Sequence, residues 1–365
     1  MSNNSKIEWT DRTWNPITGC DKVSQGCKFC YAEVIANRFS RVGIIPNSEI
    51  EYSTADAPKS EKFTVLLHPD RLDQPLRWRK PSMVFVNSMS DLFHESVPVS
   101  YIAKVYAIAF MSPQHKFQIL TKRPERALHI LTADNFIELV WKYANQLHDK
   151  YIKPLEQAIY LNEEICFDNV WLGVSVEDQK TADERIPILL QIPAAVRWLS
   201  VEPMLGGVDI SKWLMPKKDC EFYVNHPTEE EVKEGVTDCL RYENSSGKCK
   251  SGYCPLGYCN NIDWVVCGGE SGHGARPMHP DWARKLRDDC ISAGVPFFFK
   301  QWGEWCPEQQ SEFTLTDISH NDVAFWSKQE QKKVHLWVDG LISYKLGKHK
   351  SGRLLDGVEY NEYPK

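Results

Sequence analysis

The chain has 365 residues, 42% of them hydrophobic, and 12 of its residues are cysteines. This length fits one large α/β barrel or two modest domains, and the apolar content supports a sizeable core, which excludes a globally disordered chain. The formal net charge of −6 argues against a generally cationic nucleic-acid-binding surface. The first nine residues contain no apolar segment typical of a secretory signal, and no apolar run is long enough to cross a membrane. We therefore expect a cytoplasmic protein with no membrane contact.

Short β-branched and aromatic runs alternate along the chain with helical patterns. Strands are predicted at residues 14–18, 63–67, 83–87, 117–121, 170–175, 196–201, 264–268 and 296–300. Helices are predicted at residues 31–39, 99–111, 126–145, 181–191 and 281–293. This alternation is typical of parallel β/α units, and no G-x-G-x-x-G sequence follows a predicted strand. The predicted fold is α/β: a (β/α) barrel or partial barrel of six to eight parallel strands over residues 1–303, with a cysteine-rich insertion.

Two segments depart from this alternation. Residues 216–262 are polar, charged and rich in cysteine, and they separate two predicted strands, so they are predicted to be the insertion. Residues 304–365 are predicted to form a C-terminal extension, in which residues 334–346 have the pattern of a hairpin around Asp339 and Gly340.

The first cysteine cluster consists of Cys20, Cys27 and Cys30, between the first predicted strand and the first predicted helix. A reducing cytosol disfavours disulfides, so metal or redox chemistry is the leading interpretation. Structural zinc sites normally have four protein ligands, whereas three cysteines suit an iron–sulfur cluster with one open iron position. A zinc knuckle completed by His94 or Cys306 is the alternative.

The run from Cys27 to Cys30 (CKFC) resembles the cysteine signature of the radical S-adenosylmethionine superfamily, in which two residues separate the last two cysteines and an aromatic residue precedes the third. The first gap differs, because six residues separate Cys20 from Cys27 where the superfamily usually has three. The whole chain is similar to a phage and bacterial three-cysteine-motif family, the phage Gp37/Gp68-type proteins. The segments that carry this similarity are TWNPITGC, FVNSMSDLFH, LGVSVED, LSVEPM, CGGESG and KQWGEW.

The superfamily resemblance implies a cofactor set and a reaction type. Cys20, Cys27 and Cys30 are expected to hold a [4Fe–4S] cluster, and S-adenosylmethionine is expected to chelate its open iron. Reductive cleavage of this cofactor yields a 5′-deoxyadenosyl radical that abstracts hydrogen from the substrate. An electron donor of the flavodoxin or ferredoxin type is the implied partner.

Polar and charged residues follow most of the predicted strands, and in β/α barrels the reacting groups lie at these strand ends. By analogy with the superfamily, one set is expected to contact the methionyl end of S-adenosylmethionine and another its ribose. The first set is Asn87, Ser90 and Asp91, and the second is Ser175, Glu177 and Glu202. Each of these residues could instead be a helix cap or a solvated strand end. The glycine-rich residues 268–274 fit either an adenosyl-binding loop or a tight turn.

The second cysteine cluster lies in the predicted insertion. Its members are Cys239, Cys249, Cys254 and Cys259. Four thiols are enough for a structural zinc ion or for an auxiliary iron–sulfur cluster, and the segment has too little apolar content to fold alone. Both interpretations of the metal remain open from the sequence.

The sequence therefore predicts a radical S-adenosylmethionine enzyme of unknown substrate. Basic residues near the C-terminus, together with Lys122 and Arg123, make a nucleotide or nucleic-acid substrate conceivable. The alternative is a zinc-stabilised nucleic-acid-binding or interaction protein without radical chemistry.

Overall fold

The computed structural model of the chain describes residues 5–151, 167–214, 261–310 and 334–364. Its strands are β1 (Arg12–Trp14), β2 (Ile17–Thr18), β3 (Val42–Ile44), β4 (Glu51–Ser53), β5 (Leu66–Leu67), β6 (Met83–Val86), β7 (Lys116–Thr121), β8 (Val170–Ser175), β9 (Val196–Val201), β10 (Trp264–Gly268), β11 (Phe297–Gln301), β12 (Trp305–Pro307), β13 (Val334–Leu336) and β14 (Ile342–Lys345). Its helices are α1 (Tyr31–Arg38), α2 (Val99–Phe110), α3 (Pro124–Leu131), α4 (Asp134–Tyr151), α5 (Gln179–Leu189), α6 (Pro280–Ala293) and the short α7 (Lys348–Ser351).

The central sheet has seven strands in the order β1-β6-β7-β8-β9-β10-β11, and every neighbouring pair is parallel. The sheet is curled into a half-barrel, which confirms the predicted α/β partial barrel. Because the strands are parallel, their carboxyl-terminal ends lie along one edge, and the loops that follow them form one rim.

Side chains of this sheet alternate between two hydrophobic clusters. The outer face, with residues such as Phe117, Leu172 and Leu199, packs against the helices. The inner face is filled by aromatic residues, namely Trp9, Phe85, Trp171, Trp198, Trp264 and Phe298. The ring centroids of Trp9 and Trp198 lie 5.2 Å apart, and those of Trp198 and Trp264 lie 5.4 Å apart. We call Trp9, Trp171, Trp198 and Trp264 the tryptophan floor, because they close the amino-terminal half of the barrel interior.

Two predicted elements are divided in the structure. The strand predicted at residues 14–18 is split between β1 and β2, which belong to different sheets; Pro16 separates them and lacks the amide hydrogen that a ladder requires. The helix predicted at residues 126–145 is split into α3 and α4. There the Thr132 hydroxyl donates to the Leu128 carbonyl oxygen at 2.7 Å, competing with the helical ladder.

The strand predicted at residues 63–67 is not part of the barrel. Only β5 forms there, in a small antiparallel sheet of order β2-β5-β3-β4 that branches off between β1 and β6. The predicted hairpin around Asp339 and Gly340 is present as the antiparallel pair β13 and β14.

His68 is buried beside the small sheet, where its Nε2 lies 2.8 Å from the Thr18 hydroxyl. Burial, reinforced by Arg71, lowers the pKa of His68 from 6.5 to about 4. Between these two pH values the unfolded chain takes up a proton that the folded chain does not, so acid favours unfolding.

We therefore expect His68 to make the stability of the protein pH-dependent. As pH falls from 7 to 4, the unfolding free energy of the wild type should fall by about 3 kcal/mol more than that of a His68→Gln variant. Urea unfolding at several pH values measures this, with His129→Gln, at an exposed position of α3, as the control. Parallel pH curves for wild type and His68→Gln would contradict the expectation.

The C-terminal residues cover the free edge of β11. Asn361 forms an antiparallel bridge with Phe298, and the Phe299 amide donates to the Tyr360 carbonyl oxygen at 3.0 Å. The Tyr363 ring lies 5.4 Å from Trp264. The segment predicted as a separate extension is thus hydrogen-bonded to the barrel strand; the predicted division at residue 303 stays a prediction.

Residues 215–260, which include Cys239, Cys249, Cys254 and Cys259, lie outside the described residues. The chain on either side of them lies at the amino-terminal ends of β9 and β10. There the Asp263 amide donates to the Arg197 carbonyl oxygen at 2.8 Å. In the part of the chain that the structure describes, no helix is long and apolar enough to span a bilayer.

Candidate functional site

The loop from Cys20 to Cys30, here the cysteine loop, connects β2 to α1 at the carboxyl-terminal rim of the barrel. Gly19 introduces it with a φ of 93°, and a Cβ there would lie 2.0 Å from the Thr64 carbonyl oxygen, so only glycine fits. The Gly19 amide donates to the Met89 carbonyl oxygen at 2.9 Å, which fixes the loop to the segment after β6. Cys30 directly precedes α1, at the positive end of the helix dipole.

The three cysteine sulfurs do not all lie within 4.8 Å of one another. Tetrahedral zinc with bonds of about 2.3 Å holds its sulfur ligands about 3.8 Å apart. Among the described residues, only His279, Asp281 and Asp339 form a group of three candidate ligands whose atoms all lie within 4.8 Å of one another. Protein contacts account for that group, because His279 caps α6 through Nδ1 and bonds Asp339 through Nε2 at 2.9 Å. The donor set of three spread thiols fits a multi-iron cluster, in which each thiolate binds a different iron.

His94 does not complete a zinc site in the geometry observed. Its Nδ1 accepts a hydrogen bond from the Ser96 amide at 3.1 Å, so the proton of the neutral ring lies on Nε2. Nε2 is 3.0 Å from Asp21 Oδ2. Both ring nitrogens are therefore engaged. Cys306 is buried in β12, with its sulfur 3.5 Å from the Pro307 carbonyl oxygen.

The thiols of Cys20 and Cys30 lie in a partly desolvated environment. Burial, with a smaller contribution from Asp91, raises the pKa of Cys20 to about 12, although Arg123 acts in the opposite direction. Burial also raises the pKa of Cys30, opposed by the amides of Glu33 and Ala32 at the start of α1. These thiols are therefore protonated in the absence of a metal, and metal binding must displace their protons.

Glu177, just after β8, holds one side of the cysteine loop. Its buried carboxylate accepts from the Ser24 hydroxyl at 2.8 Å and forms ion pairs with Lys122 and with Arg185, the latter at 3.0 Å. Gly26 lies so close that a Cβ there would be 2.5 Å from Glu177 Oε1. The loop is thus fixed to the ends of β7 and β8.

Arg276, just after the glycine-rich residues 268–274 that follow β10, holds the opposite side of the cysteine loop. Its guanidinium bonds both oxygens of Glu270, at 2.6 and 2.8 Å, and donates to the Gln25 carbonyl oxygen at 3.0 Å. It also lies 5.4 Å from the centroid of the Phe29 ring. Gly274, with a φ of 81°, packs against the same ring, where a Cβ would approach Phe29 to 2.6 Å.

Replacing Arg276 with alanine is expected to loosen the cysteine loop. The change leaves the buried Glu270 carboxylate without its cation and removes the hydrogen bond to the loop. We expect a loss of about 2 kcal/mol in unfolding free energy and faster tryptic cleavage after the exposed Lys28. Arg38→Ala, at an exposed position of α1, is the control. Equal cleavage rates in the two variants would contradict a clamping role for Arg276.

Several predicted strand-end residues lie at the rim above the tryptophan floor. Because side chains alternate along a strand, Ser175 lies on the same face as Trp171. Asn87 and Glu202 directly follow β6 and β9. Lys300 of β11 forms an ion pair with Glu202 at 3.0 Å. Asn87 is 4% exposed, has a φ of 59°, and neither atom of its side-chain amide has a hydrogen-bond partner. An amide in this state is an unfilled donor and acceptor at the rim.

Asp91 and Ser90 are occupied by protein contacts. The Asp91 carboxylate accepts from the Thr121 hydroxyl at 2.8 Å, from the Lys122 amide at 3.0 Å and from Arg123 at 3.2 Å. The Ser90 hydroxyl donates to the Ile17 carbonyl oxygen at 3.0 Å. Both residues therefore join the rim loops to one another, and the geometry assigns them positioning roles.

Sequence reasoning missed two supports of the site, Arg276 and the pairing of Glu177 with Ser24. Arg276 follows the glycine-rich run and lies six residues after Glu270. An acidic and a basic residue on either side of a predicted turn could have indicated an ion pair there. The contact between Ser24 and Glu177 joins residues 153 positions apart, and no local pattern announces it.

Comparisons with known proteins identify the family to which the chain belongs. No curated protein matches the chain significantly. Two similar solved structures are spore photoproduct lyase complexed with dinucleoside spore photoproduct and a cysteine-to-serine mutant of spore photoproduct lyase. Their sequence identities are 10% and 9%, each has a TM-score of 0.35, and each alignment covers 94% of this chain and 70% of the other. The resemblance to phage Gp37/Gp68-type proteins stays a prediction. A family model described as a protein of unknown function, DUF5131, matches residues 4–364, and the chain therefore belongs to the DUF5131 family.

Proposed function

We propose that the protein is a radical S-adenosylmethionine enzyme. The observation that carries this proposal is the cysteine loop, which brings three thiols to the rim of a parallel half-barrel without drawing all three sulfurs within 4.8 Å of one another. Cys20, Cys27 and Cys30 would hold a [4Fe–4S] cluster with one open iron. The bound cluster would supply an electron that cleaves S-adenosylmethionine to a 5′-deoxyadenosyl radical.

The inner face below the loop offers the groups that such a cofactor needs. The free amide of Asn87 can donate to a carboxylate or accept from an amine. Ser175 and Glu202 lie at the rim as well and can meet hydroxyl groups, with Lys300 orienting Glu202. Glu177, Asp91 and Ser90 would act by holding the loops in place, since their polar atoms already bond to protein.

The tryptophan floor supports the same proposal. Its densely packed indole rings fill the amino-terminal half of the inner face, which leaves the rim end of that face for a ligand. A radical intermediate needs a site from which water and competing reactants are excluded. The electron would come from an external flavodoxin- or ferredoxin-type donor.

The substrate remains outside this proposal. Among the basic residues that suggested a nucleotide, Lys345 lies 5.7 Å from the centroid of the Trp305 ring and Lys348 pairs with Glu8 at 3.1 Å. Arg353 stacks over Phe298 at 5.2 Å. These three basic side chains therefore make contacts within the protein. The hypothesis of a nucleotide or nucleic-acid substrate is supported by the sequence alone.

Anaerobic purification followed by metal analysis tests the proposal. We expect brown protein with about four iron and four sulfide atoms per chain, and release of 5′-deoxyadenosine on addition of dithionite and S-adenosylmethionine. About eight iron atoms would assign an auxiliary cluster to the insertion cysteines, and about four iron atoms with one zinc would assign them a zinc site. Colourless protein with zinc alone would overturn the proposal and favour a zinc-stabilised binding protein.

A further inference from the structure

Arg123 is placed against the cysteine loop by the turn between β7 and α3. Pro124 begins α3, and the residue before a proline is kept out of the helical region, so Arg123 has a φ of −126° and a ψ of 59°. Its side chain is 6% exposed and extends toward Cys20.

The guanidinium of Arg123 is shared between two carboxylates and the cysteine loop. Nη1 lies 3.5 Å from the Cys20 sulfur and 3.2 Å from Asp91 Oδ2. Nη2 donates to the Asp21 carbonyl oxygen at 3.4 Å, and Nε bonds the Glu95 carboxylate at 2.9 Å. The two carboxylates fix the plane of the guanidinium, which directs an N–H group at the sulfur.

We propose that Arg123 is a positioning residue that raises the reduction potential of the cluster by donating a charge-assisted hydrogen bond to the Cys20 sulfur. This inference rests on the proposed function of the cysteine loop. Reduction adds one electron, from a low-potential donor, to the +2 cluster and gives the +1 state, with no bond broken. The added negative charge spreads onto the thiolate sulfurs, so a cationic donor stabilises the reduced state more than the oxidised one.

Asp91 and Glu95 each affect the cluster in two ways. Both carry negative charge near the sulfur, and both accept hydrogen bonds that orient Arg123. A glutamine at position 95 would keep an oxygen acceptor for Nε of Arg123 while removing the charge. Asp91 is buried and fixed by four protein donors, whereas the Glu95 side chain is 66% exposed. Glu95 can therefore be neutralised with little risk to folding, and it provides an independent perturbation of the same guanidinium.

The test is a redox titration of the anaerobically purified protein, followed by electron paramagnetic resonance. In Arg123→Gln the equilibrium constant for one-electron reduction is expected to fall about tenfold, a shift of about 59 mV to lower potential. Arg126→Gln is the matched control, since Arg126 lies in α3 and donates to the carbonyl oxygens of His94 and Val97. Arg126→Gln removes the same charge without removing a hydrogen bond to sulfur, so its potential is expected to fall by much less than that of Arg123→Gln. Glu95→Gln is expected to move the potential upward by a smaller amount.

The outcomes separate this inference from the proposed function. Wild-type protein without iron would defeat the proposed function, whatever the variants show. A loaded wild type whose potential is unchanged in Arg123→Gln would overturn the role of Arg123. If Arg123→Gln loses its cluster while Arg126→Gln keeps it, Arg123→Lys decides, because lysine keeps the charge but lacks the planar fork that directs an N–H group at the sulfur: a potential below that of the wild type supports the inference, and an unchanged potential refutes it.

Discussion

Replacing Cys27 with alanine is expected to abolish iron binding and 5′-deoxyadenosine release while leaving the fold intact. Cys27 is half-buried, and its sulfur forms one weak hydrogen bond within the described residues, with the Ser24 hydroxyl at 3.8 Å. Its loss therefore costs the apoprotein little stability. A cluster held by three thiolates loses the protein ligand of one iron, so retention should fall below detection. Iron and sulfide analysis of anaerobically purified protein, with circular dichroism to check folding, measures the outcome.

Two other cysteines provide the controls for this result. Cys290 is fully buried in α6, and Cys290→Ala should retain the iron at a modest cost in stability. Cys306→Ala addresses the zinc-knuckle alternative, because a site completed by Cys306 would lose its metal in that variant. Full iron content in Cys27→Ala would show that the cysteine loop has been assigned the wrong ligands.

Glu177→Gln is expected to cause the second large effect, a loss of about 3 kcal/mol in the unfolding free energy of the apoprotein. Glu177 is 1% exposed and neutralises both Lys122 and Arg185. Glutamine keeps the size of the side chain but leaves the buried Arg185 and the half-buried Lys122 without this counter-charge. Ser24 also loses a charged acceptor, so the cysteine loop should be less well fixed.

Urea unfolding of Glu177→Gln against Glu184→Gln measures this effect. Glu184 lies on α5, its side chain is 53% exposed, and its nearest cation is Lys180 at 3.8 Å. An exposed pair of this kind contributes little, so the control should be within about 0.5 kcal/mol of the wild type. Equal stability of the two variants would mean that Lys122 and Arg185 find other partners.

The barrel strands could be predicted closely because parallel strands buried on both faces are continuous apolar runs. Strands β8, β9 and β10 begin and end at the predicted residues. The errors occurred where one residue overrides a pattern, at Pro16 and at Thr132. In the small antiparallel sheet, β2 and β5 lie within predicted strands that were assigned to the barrel. The strands β3 and β4 were not predicted, because three residues are too few to show periodicity.

For the candidate site, the sequence indicated which groups lie at the rim but not their partners. Asn87 and Ser175 end predicted strands and Glu202 follows one, and in the structure all three lie at the carboxyl-terminal ends of barrel strands. Glu177 and Asp91 follow strands as well, yet their carboxylates are filled by cations and amides of other loops. Which strand-end residue is free depends on pairings across the rim, and these are determined only by the three-dimensional fold.

The tryptophan floor provides an intrinsic fluorescence signal close to the rim of the barrel. Its four indoles are linked by ring contacts with centroid distances of at most 6.2 Å. The barrel strands above them have up to six residues, and each residue adds about 3.3 Å, so the rim lies within about 20 Å of the indoles. At that range, excitation energy passes efficiently from indoles to any acceptor that absorbs in the near-ultraviolet and visible, as iron–sulfur clusters do. The loading and loss of a coloured cofactor at the rim can therefore be followed, without a label, through the quenching and recovery of intrinsic fluorescence.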